Sequence, residues 1–130
     1  MKKWLLVLSI ISISFAISTL AFAKAKIPLT ESSIILPLKD NDGNELSAAH
    51  TKLGKLLLAH WSGYTTNYVT GSWLATSGQL VQDASVIYII AMPCSKKEQS
   101  QLRSLIKEIK QSTKQEAIYL KACTGQVQFI

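Results

Sequence analysis

The chain has 130 residues, 48% of them hydrophobic, and a formal net charge of +6 from 14 basic and 8 acidic residues. That length holds one small domain. Only one arginine is present and no aromatic residue interleaves with the lysines, which argues against nucleic-acid reading.

Residues 1–23 read as a cleavable signal peptide. Lys2 and Lys3 form a positive start, an apolar stretch runs from Trp4 to Leu20, and Ala21-Phe22-Ala23 places small residues where a signal peptidase reads. Cleavage after Ala23 makes the product exported, periplasmic or extracellular. The rival reading is an uncleaved anchor. It is marginal because a span needs about 20 predominantly apolar residues, and Ser9, Ser12, Ser14, Ser18 and Thr19 dilute this one. Contact with a membrane is expected only if the segment is retained. Cleavage leaves 107 residues with 12 basic and 8 acidic side chains, a net +4.

Residues 24–30 form an irregular lead-in to a single domain over 31–130. Ser32 to Lys39 predicts a first strand with Pro37 near its end. Asp40-Asn41-Asp42-Gly43-Asn44 is a turn signal; its resemblance to part of a calcium loop lacks the closing glutamate. Ser47 is placed to cap a helix running to about Trp61, with Ala49, Leu53, Leu56, Leu57 and His60 on one face, and Ser62-Gly63 ends it. Tyr64 to Thr76 predicts a second strand, in which Gly71 suggests a bulge or a close backbone approach. Leu80 to Met92 predicts a third, whose stretch Val86 to Ile90 is apolar on both faces and therefore central in a sheet. Ser95 and Glu98 read as a capping box for a helix carrying Leu102, Leu105, Ile106 and Ile109, ending near Ser112. Glu116 to Ala122 predicts a last strand. Cys123-Thr124-Gly125 then turns toward a short extra strand over 126–130.

The order β-α-β-β-α-β is the split βαβ, or ferredoxin-like, arrangement: an α+β fold with a four-stranded antiparallel sheet and two helices on one face. In an oxidising compartment Cys94 and Cys123 predict one disulfide. Their separation of 29 is unlike a Cys-x-x-Cys redox motif, and with His50 and His60 they match no common zinc spacing. Both cysteines follow strands that flank a third, about 10 Å apart at ordinary strand spacing. Bridging needs Cα atoms within about 7 Å, so the loop at Pro93-Cys94 must lean inward.

Chain-wide, Asp42-Gly43, Gly63, Gly71-x-Trp73, Gly78, Ser85 and Gln115-Glu116 resemble the pattern of a family of small exported bacterial proteins catalogued only as a domain of unknown function. The likeness runs from about Ile34 onward. It departs at Leu36-Pro37-Leu38-Lys39, where an aromatic-glycine pair is expected, and in lacking a lipid-attachment cysteine. The resemblance implies the ferredoxin-like fold and carries no catalytic residues.

No nucleophile elbow or phosphate-binding glycine loop is present, and no metal or cofactor is expected. Three functional readings follow. The leading one is a non-enzymatic binding or interaction module of the cell envelope, with Tyr68, Trp73 and Tyr88 as a candidate binding face for a protein, a small ligand or a second copy. The alternative is a small enzyme using His60 as acid or base in a pocket between sheet and helices, although a hydrogen-bonded core histidine is the simpler reading of that residue. A third is an immunity or inhibitor protein of the envelope. The lysines between Lys96 and Lys114 read first as a solvated face.

Overall fold

The computed structural model describes residues 27–126, so the segment read as a signal peptide and the expected strand beyond Gln126 lie outside the described residues. Six elements follow in order: β1 (Leu29–Pro37), α1 (Ser47–Trp61), β2 (Thr65–Leu74), β3 (Leu80–Pro93), α2 (Lys96–Thr113) and β4 (Tyr119–Gln126). The sheet order is β2-β3-β1-β4, and every neighbouring pair is antiparallel. This is the expected ferredoxin-like topology. β3 lies inside the sheet as expected, with Val86, Tyr88 and Ile90 in the core and Ile87 and Ile89 half-buried on the opposite face.

Alternation sorts each strand into two faces. Ile34 and Leu36 of β1 and Val86, Tyr88, Ile90 and Met92 of β3 turn to one side, where they form a single core with Leu53 and Leu57 of α1 and Leu102, Leu105, Ile106 and Ile109 of α2. Both helices therefore cover the same sheet face. Each fully buried leucine or isoleucine in that layer is worth about 1.5–3 kcal/mol over leaving it in water.

Local details differ from the sequence expectation. β1 starts at Leu29, three residues early, because Leu29, Thr30 and Glu31 find partners in Pro93, Met92 and Ala91. Ser47 is the first residue of α1 and caps nothing; Leu46 precedes it without a side-chain cap. Gly71 makes no bulge: β2 and β3 pair without a break from Thr65↔Ile89 to Leu74↔Leu80. The irregularity lies in β4, whose pairing with β1 shifts on both sides of Glu31. Cys123 to Gly125, expected as a turn, thus belong to that strand. At α2 half of the capping box forms. Ser95 Oγ accepts the Glu98 amide at 3.2 Å, while the Glu98 carboxylate is drawn to the Trp61 indole N–H at 2.8 Å.

Candidate functional site

The two cysteines form the disulfide, with Cα atoms 5.7 Å apart. The gap closes from the side opposite to the one expected. β3 pairs regularly with β1 as far as Pro93, and it is β4 that bends. Cys123 takes a left-handed φ of 60°, and its amide donates to Oγ of Ser32, a fully buried residue of β1, at 3.0 Å. The bulge carries Cys123 across the intervening strand.

Tyr68, Trp73 and Tyr88 do not form one face. Register pairs Tyr68 with Val86 and Thr66 with Tyr88, on the helix side, whereas Trp73 pairs with Val81 on the other. Tyr88 is only 4% exposed and belongs to the core. Tyr68, on the same side, is 81% exposed, because β2 is the sheet edge and α1 stops short of covering it. The period of two along a strand already separates Tyr68 from Trp73, and the register adds that Tyr88 belongs to the core, so the three side chains do not make one binding face.

His60 is exposed, contrary to its expected core position. Its Nδ1 accepts from the Gln101 side-chain amide at 2.7 Å, and its ring tilts against Trp61 with centroids 5.5 Å apart. An amide neither takes nor supplies a proton, so this contact orients the ring without forming a proton relay. The histidine that lies half-buried in a defined network is His50. Its Nε2 lies 2.8 Å from the Pro37 carbonyl, which can only accept, so Nε2 carries the proton and Nδ1 accepts the Tyr88 hydroxyl at 2.7 Å. Burial first, then the neighbouring Tyr64 and Tyr68, push the Tyr88 phenol up to about 12, which keeps it a donor. His50 was not among the expected site residues. Its signal in the sequence, a histidine in the first turn of an amphipathic helix, does not reveal a partner 38 positions away.

The acidic turn after β1 serves itself. The Asp40 carboxylate accepts the amides of Asp42 and Asn44 at 2.9 and 2.8 Å and the Asn44 side chain at 2.9 Å. These bonds, the Asn44 side chain foremost, hold its carboxyl below the usual range.

A cavity of about 690 Å³ opens where β3 outruns its partner. β2 begins at Thr65 opposite Ile89, so Ile90 to Pro93 have no β2 neighbour. The α1–β2 connection arches over that notch. Trp61, Tyr64, Leu29, Ile89 and Pro93 contribute apolar lining, alongside the polar His60, Glu31 and Thr65. His60 lines this cavity, but most of the sheet residues in it, Leu29, Glu31, Ile89, Ala91 and Pro93, lie on the face away from the helices, and neither Tyr88 nor Trp73 is among its walls. Tyr64 links the cavity to the core: its ring stands 5.5 Å from that of Tyr88, and its hydroxyl lies over Gly54 of α1. Among the described residues no group of three or more histidine, cysteine or acidic side chains is arranged to hold a metal.

Residues 59–129 match the family described as a protein of unknown function, DUF3574. No curated protein matches the chain. Among solved structures it is similar to a phage SAM lyase in complex with S-methyl-5'-thioadenosine, at 20% identity over 72% of this chain and 78% of that one, with a TM-score of 0.54. The apo state of a phage SAM lyase aligns at 21% identity over 75% and 81%, with a TM-score of 0.49. The first of these likenesses extends to the fold.

Proposed function

This chain belongs to the DUF3574 family, and we propose that it acts as a small binding module of the cell envelope, taking a compact ligand with a planar apolar part. The cavity beneath the α1–β2 connection carries this reading. Its volume falls in the range of small-molecule sites, and its lining combines aromatic and aliphatic side chains with a few polar groups. The Cys94–Cys123 bridge supports an oxidising address for the protein.

The test is calorimetry of the oxidised protein against planar apolar probes, including S-methyl-5'-thioadenosine, the ligand of the phage structure. Binding of at least one probe is expected. Trp61→Ala or Tyr64→Ala should weaken it by about two- to tenfold, the order of one aromatic contact. Probes that give no heat and no thermal shift would sink the reading. Steady consumption of a bound probe, lost in His60→Ala, would instead establish the enzyme alternative.

A second reading, self-association, is favoured by the outer edge of β2. Its ten residues include no charge and no proline, the devices that usually protect a free edge. Tyr68, Leu74 and Leu80 stand exposed beside it. The Leu38 amide bonds the Ala84 carbonyl, so Ala84 points to β1 and its β2 partner Thr70 directs its N–H outward. Thr70→Pro therefore removes only an outward donor. It should convert a dimer to monomer in sedimentation equilibrium; a wild-type monomer at high concentration ends this reading.

A further inference from the structure

α2 sorts its charges by direction. Its two acids turn toward α1, where Glu98 accepts the Trp61 indole N–H and Glu108 pairs with Lys52. Four of its five cations turn elsewhere, Lys97 alone lying on the side of Glu108. At about 100° per residue, Lys96, Arg103, Lys107 and Lys110 fall within about 60° of one another, and all four are exposed. They run along a helix about 27 Å long. Between residues 27 and 126 there are ten basic and eight acidic residues; six of the basic ones lie on Lys96 to Lys114, and six of the acidic ones lie off it. The rest of the described chain is therefore net negative, and the domain is electrostatically polarised.

Within the basic row is a shallow trough of about 370 Å³ lined by Lys96, Gln99, Ser100, Arg103, Ser104 and Lys107. Every side chain in it can donate a hydrogen bond and none is acidic. The geometry points to a docking surface for an anionic phospholipid bilayer, with the trough taking a headgroup phosphate. Charge complementarity selects an anion. A straight, lysine-dominated row with no aromatic residue fits a flat charged surface better than the bases of a nucleic acid, which call for stacking platforms.

The experiment is co-sedimentation of the protein, produced from its full sequence, with vesicles of phosphatidylcholine alone or with a third phosphatidylglycerol. Binding to the phosphatidylglycerol vesicles should exceed that to phosphatidylcholine and fall with added salt. Arg103→Glu with Lys107→Glu should reduce the excess at least tenfold, since each basic residue near such a surface is worth about fivefold. Lys55→Glu with Lys121→Glu makes the same change in net charge elsewhere on the surface and should leave most of the excess. Equal loss in both pairs overturns the proposal, because net charge alone would then explain it. So does an absence of preference for phosphatidylglycerol, or tighter binding of a short DNA duplex than of the vesicles.

Discussion

At the scale of single residues, the His50–Tyr88 pair ties a half-buried histidine to the core. His50 is locked as the Nε2–H tautomer by the Pro37 carbonyl, and Tyr88 is held as a neutral donor by burial. Tyr88→Phe removes that donor and strands Nδ1 in a half-buried position, which should cost about 1–3 kcal/mol in denaturant unfolding. The phenol also imposes a pH dependence. Its folded value is raised to about 12 from 10.0, so its contribution is intact below pH 10. It is lost as pH climbs through 12, because the unfolded chain releases the proton first. A tyrosinate absorbance titration should show a late-ionising phenol that is lost in Tyr88→Phe; the absence of any late phase would contradict the burial of Tyr88.

At the scale of elements, α1 carries a glycine where helix propensity argues against one. A Cβ on Gly54 would stand 2.5 Å from the Tyr64 hydroxyl and 3.2 Å from its Cζ. Glycine there admits the ring that roofs Tyr88 and walls the cavity. Gly54→Ala should therefore forfeit the gain of about 1 kcal/mol that a helix interior normally returns. The same change in a Tyr64→Ala background should recover it. Additive effects in that double-mutant cycle would show that the ring and the helix do not meet. α2 shows the converse. Its cap, apolar spacing and C-terminal stop are local, and Ser95, Leu102, Leu105, Ile106 and Ile109 all take the positions expected of them. The helix was legible because each of these signals acts within a turn or two of chain. The bulge expected at Gly71 was not, since a glycine in a strand marks an opportunity for irregularity and says nothing of which strand the cross-link will bend.

At the scale of the whole molecule, the disulfide joins β3 to β4 across β1 and ties the C-terminal strand to the central sheet. On the chain-entropy model, closing a loop of this length contributes about 3–4 kcal/mol. Reductant should lower the unfolding free energy by that order, and the intact mass of the native protein should show no free thiol. Detection of two free thiols in protein recovered from an oxidising compartment would remove the bridge.

The order of elements, the buried stripe of α2 and the pairing of the two cysteines were determined by the sequence itself, because hydrophobic period, capping and topology are properties of neighbours or of chain order. Which residues share a site was decided by tertiary structure. Tyr68 and Tyr88 share a face yet differ in exposure because one lies on an edge strand and the other on an inner one. His50 rather than His60 enters a buried network because α1 rests its first turn over β3 while its last turn overhangs the open notch. The notch itself exists because β3 is four residues longer than its pairing with β2, a mismatch between two strands that no local pattern in either one encodes.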